Sequence, residues 1–317
     1  MSSLFDYGLR LAQYLDLMLL FGLPLFAWYG PAALKINGDQ RSSLSPLPKR
    51  ALSLGLLICA VLGLVLVSIE IVRSTTGIMG IAVSELGRDD LAWYLVDIPA
   101  GRAGLIRALL LVLLIAVLGW QLRRGGRPLL VRLVTVLAGA ALLSLAWNGH
   151  AAGGEGVSGA VRLVAGIAHL LAAGGWIGAI TAFLILLLRH GKPAKGQGLH
   201  VLWQALHSFS RPGTVFVGVL VVTGILHYGD LTGWSIAPLF HSLHGNLMLF
   251  KLALFAAMLG LAALHRWWLV PRLERDVHTG APSHSAQHLR LSVTIEATIA
   301  LLILVSVAVL GTLSPHG

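Results

Sequence analysis

The stretch Arg162–Leu188, RLVAGIAHLLAAGGWIGAITAFLILLL, decides the fold. After its opening arginine no charged side chain follows until Arg189. A bilayer core of about 30 Å needs roughly 20 apolar residues in a helix, and this run exceeds that. A surface helix of a soluble protein would carry a polar stripe every 3.6 residues. None is present, so the run reads as a membrane span.

Seven further runs have the same character: residues 9–29, 51–72, 103–122, 130–150, 212–228, 245–268 and 289–313. Gly30-Pro31, Gly125-Gly126, Gly153-Gly154, Gly191 with Pro193, Gly233 and Gly280 with Pro282 separate them, as breakers between helices do. The expected fold is an all-α membrane bundle of about eight transmembrane helices, a single polytopic domain over residues 1–317. Composition agrees, with 56% hydrophobic and 11% charged residues where soluble domains carry about 25% charged. The first run follows a barely charged start without a small-residue cleavage site and reads as a retained helix. Cys59 is the only cysteine, so no intrachain disulfide or CxxC site forms.

The net charge of +10 would suggest nucleic acid in a soluble protein. Here 16 of the 23 basic residues fall in alternate loops, around Lys35–Arg50, Arg123–Arg132, Arg189–Arg211 and Arg266–Arg290. That alternation is the signature of topology, and nucleic-acid binding is excluded. The positive-inside rule places those loops in the cytoplasm and both termini on the periplasmic side. Trp28, Trp120, Trp147, Trp267 and Trp268 fall at helix ends, as interfacial belts require, whereas Trp176 lies mid-span. The long connection 73–102, with Glu85, Arg88, Asp89, Asp90 and Asp97 among apolar residues, reads as amphipathic and lying on the outer surface.

Charge inside a span is costly and marks function or pairing. Asp16, Lys251 and Glu296 are such residues, with Glu70 nearer the surface. Asp16 and Lys251 each fall about 10 Å from the outer face at 1.5 Å per residue, so an ion pair between them is expected. Glu296 lies in the inner half, where an arginine of the cytoplasmic rim is its expected partner.

The 13 histidines divide by side. His150, His169, His227 and His244 belong to the outer half, with Met248 one turn beyond His244. Imidazole is neutral over much of the physiological range and suits copper, zinc, iron and nickel. His150 with His169 is the leading metal pair, with His227, His244 and Met248 as further ligands. Ala173, Gly174, Gly178 and Ala179 follow His169 and permit close helix approach.

These residues resemble, in order, the CopD family of bacterial copper-resistance inner-membrane proteins. The resemblance rests on Gly149-His150-Ala151, His169 with Gly174-Gly175-Trp176-Ile177-Gly178, and Phe209-Ser210 ahead of Thr223-Gly224. It continues with His244-Gly245 and Lys251, Arg266 with Pro271, Glu296, and Ser314-Pro315. It implies copper handling at the inner membrane, copper ion as the bound species, transport inward, and a periplasmic CopC-type copper-binding protein as partner beside the lipid bilayer. Asp16, Glu70, Trp176, Lys251 and Glu296 are then expected to gate or tune transport. The reading is of a transporter and not an enzyme. The alternative is a haem-binding electron carrier or oxidoreductase with histidine axial ligands.

Overall fold

The computed structural model describes residues 4–33, 49–124, 128–148, 156–190, 197–233, 242–279 and 285–311. Ten α-helices account for nearly all of them: α1 (Leu4–Ala33), α2 (Lys49–Met79), α3 (Arg88–Asp97), α4 (Pro99–Arg124), α5 (Pro128–Leu143), α6 (Gly156–His190), α7 (Gln197–Thr232), α8 (Leu243–Leu264), α9 (Val270–Thr279) and α10 (Ser285–Leu310). Among the described residues eight helical segments are long and apolar enough to cross a membrane. They correspond to α1, α2, α4, α5, α6, α7, α8 and α10.

Arg10 near the start of α1 donates from Nη1 to the Gly311 carbonyl at the end of α10, at 2.5 Å. Arg73 near the end of α2 pairs with Asp6 at 2.7 Å, and Arg162 on α6 pairs with Asp230 on α7 at 2.6 Å. The first and last described helices thus begin and finish at one end of the bundle, here the terminal end. Arg123, Arg124, Arg189 and Arg272 mark the opposite, basic end.

α1 is the hub, packing against α2, α5, α6, α7 and α10. Its closest approach is to α6, where a Cβ on Gly22 or Gly178 would run into the other's backbone. Only glycine at both positions lets two backbones meet in this way. Around the hub lie two groups: α2, α4 and α5 on one side, and α6, α7, α8 and α10 on the other. Among the described residues α8 packs chiefly on α10, which leaves space between α8 and α7.

Element boundaries differ from the sequence reading where helices run past the apolar core. α7 begins at Gln197 and carries Pro212 inside it, whereas the hydrophobic run begins only at Pro212. The earlier part buries Val201, Leu202, Ala205 and Leu206 against the bundle, and that burial offsets the hydrogen bond a proline removes. α2 continues to Met79 and stops at Gly80, whose φ of +68° only glycine adopts readily. The connection after it holds a short 3₁₀ turn, Val83–Glu85, and then α3. α8 leads through a π turn, His265–Leu269, into α9.

Candidate functional site: two chambers divided by Trp176

In the space between α6, α7, α8 and α10 lies a chamber of about 460 Å³. His169, Ala173 and Trp176 line it from α6, at helical spacing that shares one face. His227 lines it from α7, and Met248, Lys251 and Met258 from α8. No acidic side chain is among its described lining residues.

Hydrogen bonds fix how the two imidazoles present themselves. Thr223 Oγ1 donates to the Val219 carbonyl at 2.6 Å, so its lone pairs face outward. His169 Nδ1 stands 2.8 Å from that oxygen and donates to it in the Nδ1-protonated tautomer. Nε2 is left with the lone pair, the form in which imidazole binds a metal. His227 lies beside it, ring centroids 5.7 Å apart and planes tilted 46°. Its Nε2 is buried with no hydrogen-bond partner. Buried polar atoms are nearly always satisfied, so an imidazole nitrogen without a protein partner, beside a second imidazole, is suited to accept a ligand. Two imidazoles and a thioether suit a soft or borderline cation.

Trp176 is 3% exposed and lines a second chamber of about 550 Å³ towards the basic end. His207 and Thr214 of α7, His265 and Arg266 of the π turn and Glu296 of α10 share that space. The Trp176 indole donates to Glu296 Oε1 at 3.2 Å, and His265 Nδ1 stands 3.4 Å from Glu296 Oε2. Trp176 is therefore no misplaced belt residue. It lines both chambers.

The expected residues thus separate into groups. His169, His227, Met248, Lys251 and Trp176 come together. His244 sits in the first turn of α8, beyond Met248, and does not line the chamber. His150 lies outside the described residues. The expected Asp16–Lys251 ion pair does not form. Asp16 turns to α2, against Gly63 and the Cys59 thiol, because α1 faces α2 at that level while α8 keeps to α10. Glu70 belongs to a different cluster, accepting from Arg107 at 2.6 Å and from Gln13 at 2.8 Å. The partner of Glu296 is His265 and not a rim arginine. Arg266, the arginine nearest in sequence to His265, donates instead to Thr214 at 2.8 Å.

Sequence reading missed Thr223 as the group that orients His169. The one available signal was its position four residues before His227, which puts both on one face of α7.

Among the described residues no three His, Cys, Asp or Glu side chains converge on one point; the chamber is lined by two histidines and by the thioethers of Met248 and Met258. No solved structure shows a significant match to the chain. Residues 1–160 match the family described as copper resistance protein D-like, N-terminal domain, and residues 203–310 match copper resistance protein D. The chain is 37% identical to copper resistance protein D of Pseudomonas syringae pv. tomato over 316 residues, covering 100% of this chain and 98% of the other. It is 26% identical to the inner membrane protein YebZ of Escherichia coli over 97% of each chain. A 135-residue part, 42% of this chain and 23% of the other, is 34% identical to the copper transport protein CutJ of Bacillus subtilis. With eight apolar spans, two family matches and a full-length relative, this multi-pass membrane protein belongs to the copper resistance protein D family.

Proposed function

We infer that this protein carries copper ions inward across the bacterial inner membrane, taking them from the periplasm at the chamber formed by His169, His227 and Met248. The observation that carries the reading is the pair of imidazoles with uncommitted Nε2 atoms, one fixed by Thr223 and the other buried without a partner. The concentration of arginine and lysine in alternate loops supports the periplasmic placement of the terminal end. The full-length likeness to a copper resistance protein supports copper as the cargo, and an inner membrane relative supports the location.

The Met248 thioether favours Cu(I) over Cu(II). Lys251 tunes charge, and Trp176 separates the loading space from the space beyond it. His244 and His150 would serve on the approach, where a CopC-type protein would deliver the ion. The protein acts as a carrier and performs no catalysis.

The test is copper uptake into proteoliposomes. Wild-type protein should bind copper and move it, and the double variant His169→Ala/His227→Ala should lose uptake together with the copper bound in this chamber. Undiminished binding and uptake in that variant would sink the assignment. A Soret band in the purified protein would point to the haem-carrying alternative.

A further inference from the structure

The second chamber holds an arrangement that transport through the first does not explain. His265 opens the π turn that breaks α8 from α9, and single π turns recur at functional sites because they re-aim a side chain. Here the re-aimed side chain is an imidazole, directed at Glu296 of α10.

Both groups are tied by the atoms facing away from each other. His265 Nε2 is 2.7 Å from Ser292 Oγ, and Glu296 Oε1 accepts from the Trp176 indole at 3.2 Å. The remaining donors, His265 Nδ1 and Glu296 Oε2, stand 3.4 Å apart. A charge-assisted N–H···O bond would be about 2.7–2.9 Å, so the pair is not closed on itself. Two ligands each about 2.0–2.1 Å from one tetrahedral ion stand about 3.3–3.4 Å apart. The separation is that of a ligand edge. An imidazole whose far nitrogen is held by a hydroxyl, facing a carboxylate whose far oxygen is held by an indole, is the outer-shell pattern of metal sites. Glu296 is 6% exposed and is the carboxylate of this chamber. Arg266, the fixed cation lining it, is engaged by Thr214 on α7, and His207 completes its titratable lining.

We propose that His265 Nδ1 and Glu296 Oε2 form a second copper-ion site on the basic-end side of Trp176, with water completing the coordination. This rests on the transport reading and gives it a second station. One nitrogen and one oxygen suit Cu(I) less well than two nitrogens and a sulfur do, so this station holds the ion more loosely than the first, as release requires.

The experiment uses the full-length protein carrying His169→Ala/His227→Ala, purified in lipid nanodiscs, with Cu²⁺ alone as probe and electron paramagnetic resonance as readout. One bound Cu²⁺ per chain with coupling to a directly bound imidazole nitrogen is expected. Adding His265→Ala or Glu296→Gln should abolish that signal, and Glu296→Asp should keep it. Ser292→Ala leaves both ligands in place and should weaken binding about tenfold. A signal unchanged by His265→Ala and Glu296→Gln would overturn the proposal. So would absence of Cu²⁺ from the double variant when wild-type protein binds it, an outcome that leaves the first station standing. Should the double variant bind and transport as wild type does, the first station fails while the His265 and Glu296 variants still judge the second.

Discussion

Two polar regions cross this bundle, and they are built on opposite principles. Around α1, α2, α4 and α5, Arg107 is 1% exposed yet donates to Glu70 at 2.6 Å and to Ser144 at 2.7 Å, while Gln13 donates to the same Glu70 at 2.8 Å. These bonds tie α1, α2 and α4 to the turn after α5 and engage most of the cluster, Arg107 Nη2 alone of the guanidinium nitrogens staying without a partner. Around α6, α7 and α8, by contrast, His169 keeps a lone pair, His227 Nε2 has no partner, and Lys251 faces a chamber without an acid among its described lining residues. Polarity closed on itself holds helices together, whereas polarity left open is available to a ligand. Residue type alone does not separate the two, since both regions place charge inside spans.

The comparison breaks most sharply at Arg107. Arg107→Leu leaves the half-buried Glu70 without its cation and should cost about 2–3 kcal/mol of stability, below the figure for a fully buried pair, read as a lower denaturation midpoint of the purified protein. The double variant Arg107→Leu/Glu70→Leu should recover most of that loss, because a buried ion pair removed whole is often nearly neutral. Copper bound per folded molecule should stay at the wild-type level in both. A loss of binding with folding intact would make the closed cluster part of the transport site.

The open region should behave in the reverse way. His169→Ala/His227→Ala is expected to lower copper affinity by more than the roughly 10–100-fold that loss of an outer-shell partner costs. Thermal stability should fall by less than in Arg107→Leu, because the bonds lost are neutral ones, from His169 Nδ1 to Thr223 and from His227 to the Arg162 backbone. Equilibrium dialysis with metal analysis reads the first effect and a melting curve the second. Between the regions lies the Gly22–Gly178 contact, where Gly178→Ala forces α1 from α6 and should cost about 1–3 kcal/mol.

The fold was largely legible because eight long apolar runs have few other uses, and alternating arginines order them antiparallel. What composition could not convey was which spans face each other. Asp16 and Lys251 share a depth, and depth alone suggested a pair. Depth is a one-dimensional coordinate, however, and α1 presents Asp16 to Gly63 and Cys59 of α2. Likewise Trp176 violated the interfacial rule because its indole serves Glu296, 120 residues away. His169 and Met248, which line the chamber, were singled out by residue type, since imidazole and thioether have a distinctive affinity for metals. Thr223 was not, because threonine in a span ordinarily bonds its own helix, as this one also does at Val219.

That dual role of Thr223 supports the finest test of the comparison. Its hydroxyl gives its proton to Val219 and so offers only lone pairs to His169 Nδ1. Thr223→Val keeps the shape, removes the acceptor, and frees the imidazole to rotate or to exchange tautomers. Affinity for copper should fall about tenfold, while Thr223→Ser, which restores the oxygen, should recover it. A purely structural threonine would instead lower stability in the valine variant and leave affinity unchanged. The two accounts therefore predict changes in different measurements, and titration of each variant with copper beside its melting curve decides between them.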